Sequence, residues 1–124
     1  MTAARARKLL LAAGDVTERA HFDRVAFRTP RRIFATLAGD GSDVNFALDP
    51  LEQESLCEMA PTMLAPVAGG WGRMGFTRCD LKRVDEATFL SALHAAYSRA
   101  SAPRTKARAA TRARPERSRG RLRS

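Results

Sequence analysis

Two histidines and two cysteines are all that this chain offers to metal or thiol chemistry. His21 and His94 stand far apart, and neither Cys57 nor Cys79 is followed by a second cysteine or a histidine at metal-ligand spacing. No metal and no cofactor is therefore assigned. The thiols are expected to be reduced and to act as small apolar fillers, Cys79 buried and Cys57 partly open. A nucleophile, a base and an orienting partner cannot be assembled from these residues, so no catalytic residue is assigned and no enzyme is expected. Long apolar runs are missing as well. After the basic start Met1 to Lys8, the run Leu9 to Ala13 is too short for a signal-sequence core or a membrane span. The expectation is a soluble, cytoplasmic protein without a membrane partner.

Acidic residues are nearly absent from one part of the chain, and that part carries almost all of the net charge. The formal charge is +9 over 124 residues. From Ser101 to Ser124 there are nine basic residues against Glu116 alone, a net of +8, which leaves +1 for residues 1 to 100. The high isoelectric point thus describes a tail, not a domain. That tail is built of arginine, alanine, serine and proline with one large aliphatic residue, Leu122. It cannot bury enough surface to offset chain entropy, and residues 101–124 are expected to be disordered beside one folded domain of residues 1–100.

Within that domain, Ala3 to Ala13 is rich in helix formers and is followed by Gly14, which suits a helix C-terminus. Asp15 to Asp23 reads as a connection carrying His21 and Phe22. From Arg24 the period changes to two: Val25 and Phe27, then Ile33, Phe34 and Thr36 after the Thr29-Pro30 turn, then Val44, Phe46 and Leu48 after Gly39-Asp40-Gly41-Ser42. These are three strands of an antiparallel meander. Asp49 and Pro50 open a helix that should end before Pro61, with an apolar stripe of Leu51, Leu56, Met59 and Ala60. Met63 to Val67 reads as a short strand. Gly75 to Leu81 reads as another, with Thr77, Cys79 and Leu81 facing the core. Asp85 then caps a helix whose Phe89, Leu90, Leu93, Ala96 and Tyr97 recur at helical spacing. The fold class is α+β: an antiparallel sheet of four to five strands with helices packed on one side.

Between the last two strands lies Pro66 to Thr77, which holds the single tryptophan, Trp71, and four of the eight glycines. So many glycines imply close approach by a neighbouring strand or by a ligand. With Arg31-Arg32-Ile33-Phe34-Ala35-Thr36-Leu37 upstream and the closing helix from Asp85, the stretch resembles the MmcQ/YjbR family of small bacterial proteins over roughly residues 3 to 99. The resemblance implies a compact fold in the general class of the frataxin-like CyaY fold, described as a double-wing DNA-binding fold, and implies no reaction. Iron binding in frataxin-like proteins is attributed to an acidic ridge on the first helix. Here that helix carries Arg5, Arg7 and Lys8 and no acid. Glu52, Glu54 and Glu58 read as a solvated surface.

What remains is a basic surface. Arg28, Arg31 and Arg32 flank the first hairpin turn, and Arg73, Arg78, Lys82 and Arg83 surround the glycine-rich stretch and the strand after it, with Trp71 and Phe76 able to stack on bases. A plainer reading makes Trp71 a core anchor and the arginines separate solvated groups. In the tail, Arg104, Lys106, Arg108, Arg112 and Arg114 resemble a cationic arm that binds nucleic acid through counterion release. The expected function is nonspecific, non-enzymatic DNA binding through the phosphate backbone with weak sequence preference. The alternative is a module that binds a small ligand or a protein, with an incidental tail. Nothing in the sequence sets the oligomeric state.

Overall fold

The computed structural model describes residues 1–103. Its elements run in the order α1 (Ala3–Leu11), β1 (Thr17–His21), β2 (Arg24–Arg28), β3 (Ile33–Ala38), β4 (Asp43–Ala47), α2 (Pro50–Met59), β5 (Leu64–Pro66), α3 (Gly70–Arg73), β6 (Phe76–Asp80) and α4 (Glu86–Ser101). The strands form one six-stranded antiparallel sheet in the order β1-β2-β3-β4-β6-β5. The α+β class stands as expected, with one strand more than the hydrophobic pattern marks.

The added strand is β1, where a connection is expected. Its residues pair with β2 from Thr17↔Arg28 to His21↔Arg24, and every one of them is exposed. A strand held at a sheet edge by backbone pairing, and here by the Arg7–Glu18 ion pair to α1, has no apolar period to show in the sequence. It is joined to β2 by the two-residue turn Phe22-Asp23, in which Phe22 has φ 58°. Turns of this length need positive φ at their first central position, where glycine or asparagine is usual.

Helices cover one face of the sheet. Phe27, Phe34, Phe46 and Phe89 are fully buried, with Leu10, Leu48, Leu64, Leu81 and Leu93 around them. α4 lies against β3 and β4, and α1 touches β3. Phe89 of α4 meets Phe46 edge to face at 5.4 Å, and Tyr97 meets Phe34 in the same way at 5.4 Å. Phe34 reaches the core because the β2–β3 register shifts at Phe27/Arg28, so that Phe34 and Ala35 are both buried. Thr77, Cys79 and Leu81 face the core as their alternation predicts.

Asp49 caps α2 by accepting from the Leu51 amide, and Asp85 caps α4 by accepting from the Thr88 amide. Two local expectations need correction. Along α2, Leu51 and Met59 are exposed and Gln53 is the buried residue, so the helix seats a polar side chain where a leucine stripe is expected. Gly14 does not take positive φ. Its value is space, since a Cβ there would lie 2.4 Å from the Tyr97 hydroxyl, which accepts from the Asp15 amide. Among the described residues no helix is long and apolar enough to cross a membrane.

Candidate nucleic-acid interface

Because the helices pack on one face, the other face of the sheet is left open. Register places Arg19, Ala26, Thr36, Asn45, Arg78 and Ala65 in one row across all six strands on that face. His21 and Arg24 pair in an adjacent row, and Thr17, Arg28 and Ile33 lie in the row on the other side. Alanines 26, 38 and 47 on this face fill little space. A cavity of about 320 Å³ lies over Arg24, Thr36 and Asn45 on this face, bounded by His21 of β1 and by Val67, Trp71 and Phe76 from the far margin. A second cavity, of about 460 Å³, shares His21 and is lined by Arg19, Arg28, Ala26, Ile33 and Glu18, whose carboxylate is taken by Arg7. The open face is therefore one concave surface with a basic end and an aromatic end.

At the aromatic end, Trp71 is 61% exposed and stands edge to face with Phe76 at 5.2 Å and 90°. It is not the core anchor of the plainer reading. Its platform, α3, is fixed by backbone contacts that only glycine permits. A Cβ at Gly72 would lie 1.8 Å from the Val67 carbonyl, and one at Gly75, which has φ 110°, would lie 1.8 Å from the Leu48 carbonyl. The close approach implied by the glycines is thus made by the chain's own backbone. Buried Gln53 completes the clamp, its Nε2 donating to the carbonyls of Gly72 and Phe76 at 3.0 Å each.

Electrostatics divide the arginines. Asp43 accepts from Arg24 at 2.6 Å and from Arg78 at 3.0 Å, so one carboxylate offsets half of this pair's charge and holds both guanidinium groups against the sheet. Arg28 spends one nitrogen on the Thr29 carbonyl at 3.2 Å and is otherwise exposed. Arg19 and Arg73, also exposed, have no side-chain partner among the described residues. Of the residues singled out in the sequence, Arg28, Arg78 and Trp71 gather on or beside the open face, and Arg73 stands on α3 next to Trp71. Arg31, on the hairpin beside Arg28, is exposed and has no side-chain partner among the described residues, whereas Arg32 is turned toward the end of α4. Their amides donate to Thr29 Oγ1, which itself donates to the Ala100 carbonyl, and Arg32 Nη2 donates to the Ala102 carbonyl at 3.2 Å. That hairpin is tied to the end of α4. Arg104, Lys106, Arg108, Arg112 and Arg114 lie outside the described residues.

Sequence reasoning missed Arg19, His21 as a wall of the face, and Gln53. Gln53 carried a signal: it precedes Leu56 by three residues and Ala60 by seven, which puts a polar side chain on the apolar side of α2. Arg19 carried none, since its strand has no hydrophobic period.

The fold and this surface define a small α+β domain with a layer of helices on one sheet face and a concave, basic and aromatic opposite face. The YjbR family model matches residues 11–99, and the chain belongs to that family. No curated protein and no solved structure matches the chain significantly.

Proposed function

We propose that this chain is a non-enzymatic DNA-binding protein of the cytoplasm, which grips the phosphate backbone with weak sequence preference and receives it on the open face of its sheet. The observation that carries the reading is the exposed Trp71 at the rim of a concave face whose other end holds Arg19 and Arg28, two exposed guanidinium groups without a carboxylate partner among the described residues. Guanidinium groups suit phosphate oxygens, and an exposed aromatic beside them suits bases. Since residues 1 to 100 hold a net charge of only +1, the tail supplies most of the long-range attraction in this reading, and the face supplies the contact.

The test is binding to a labelled random-sequence duplex over a range of salt, with the full chain and with a chain ending at Pro103. Ending at Ala100 would cut α4 short and remove Ala102, whose carbonyl holds Arg32. Log affinity of the full chain should fall against log salt with a slope of about −4 to −5 if five tail arginines engage. The shorter chain should keep weaker binding with a shallower slope. Binding indifferent to salt contradicts the reading.

The cavities favour a second reading, in which the same face holds a small ligand and the tail is incidental. The smaller one, about 320 Å³, is near the low end of the ordinary range for ligand sites. That reading expects no nucleic-acid binding by the chain ending at Pro103.

A further inference from the structure

The cavity between Trp71 and His21 has more chemical detail than a phosphate site needs. Its walls are aromatic, Trp71 and Phe76, while its floor is polar, Thr36 and Asn45 with the Arg24 guanidinium. Thr36 and Asn45 face each other across β3 and β4 in the same row. Thr36 Oγ1 accepts from Arg24 Nε at 2.8 Å, which leaves its own hydrogen free to donate. Asn45 Oδ1 is shut off from solvent and has no hydrogen-bond partner among the described residues. A buried acceptor left unpaired is costly, so this carboxamide gains by turning toward a donor that enters the cavity. Oδ1 is covered in this conformation and faces the cavity only after the carboxamide turns; so turned, it stands with the Thr36 hydroxyl under the aromatic wall, and the two match one kind of ligand edge: a flat heteroaromatic ring carrying both a donor and an acceptor.

We infer that this cavity is a nucleobase pocket, taking one unpaired base between the Trp71–Phe76 wall and the Thr36–Asn45 floor while Arg19 and Arg28 hold the phosphates attached to it. This rests on the nucleic-acid reading above and makes it narrower. At about 320 Å³ the cavity admits one ring system and not a stacked pair. A base paired inside a duplex cannot enter a recess of this kind, whereas a single strand presents its bases freely. The preferred substrate is therefore single-stranded, and a free nucleotide shares the same chemistry.

Trp71 is the only tryptophan, so its fluorescence reports on the pocket wall directly. The full chain is titrated with a short mixed-sequence single strand, with the same strand annealed to its complement, and with the four deoxynucleoside monophosphates. Labelled strands follow total binding by anisotropy in parallel. The expected result is quenching of Trp71 by the single strand at concentrations where the duplex leaves it unchanged. Asn45→Leu should weaken single-strand binding roughly tenfold and duplex binding little. Trp71→Ala, at an exposed position that the core does not need, should do the same by anisotropy. Quenching by the monophosphates that matches the strand's supports the pocket and makes the free nucleotide its source. If the duplex binds as tightly as the strand, and neither the strand nor the monophosphates change Trp71 fluorescence, the base pocket is overturned while phosphate binding stands. If anisotropy detects no binding of strand or duplex and the monophosphates leave Trp71 unchanged, both readings fall.

Discussion

Cys79 sits in the middle of β6 with its sulfur enclosed by the core, and burial, with the carboxylates of Asp80 and Asp43 adding to it, pushes its thiol from 9.0 up to about 12. Burial also raises the Cys57 thiol, on half-covered α2. Both thiols are thus protonated at neutral pH, and neither is poised as a nucleophile. In the native protein a thiol reagent should modify Cys57 slowly and Cys79 only on unfolding, as counted by mass; rapid modification of both would contradict the core described here. The same shift has a stability consequence. The unfolded thiol ionises near 9.0 while the folded one keeps its proton to about 12. Above pH 9 the folded state binds more protons, and stability falls as pH rises through that window. Unfolding curves of Cys79→Ala should show a shallower loss between those limits than those of the natural chain.

Elements differ in how they announce themselves. β2, β3, β4, β6 and α4 were legible because each buries one face, and a buried face imposes a period of two or 3.6 on the apolar residues. β1 was not, because a strand exposed on both faces leaves its pairing partner to define it. Its turn adds to the obscurity, with Phe22 at positive φ and 96% exposed, a residue that pattern reasoning does not place at a hairpin tip. The glycine-rich stretch was legible as a site of close approach, but the approaching group was the backbone at Val67 and Leu48, which only the folded chain reveals. α3 depends on that approach and on Gln53. Gln53→Leu removes two side-chain hydrogen bonds, while the Phe76 carbonyl keeps the Val67 amide and the Gly72 carbonyl keeps the Gly75 amide, for a cost of about 1–3 kcal/mol in all. Gly72→Ala drives a Cβ into the Val67 carbonyl, and overpacking of this kind costs about 1–3 kcal/mol or more. Both variants should lower the thermal midpoint, and unchanged midpoints would mean that α3 is not clamped as described.

For the whole molecule, the division of charge and the division of the sheet's faces work together. Helices α1, α2 and α4 occupy one face, so any ligand of the folded part that uses the sheet must use the other. There the register lines up Arg19 with Arg78 and places Arg28 one row away. The candidate site was only partly readable beforehand. Arg28, Trp71 and Arg78 could be picked out by type, yet which arginines converge is decided by pairing register and by Asp43, and neither follows from local sequence. Arg32, as basic as any, turns its guanidinium to the carbonyl at the end of α4.

The most direct measurement of the central claim, that the open sheet face contacts nucleic acid, uses the full chain carrying Arg19→Ala and Arg28→Ala together. Its affinity for a labelled single strand is compared with that of the natural chain across a series of salt concentrations. The account predicts weaker binding and a salt slope reduced in magnitude by about 1.4, the share of two phosphates on a single strand. Affinity and slope identical to those of the natural chain would contradict it.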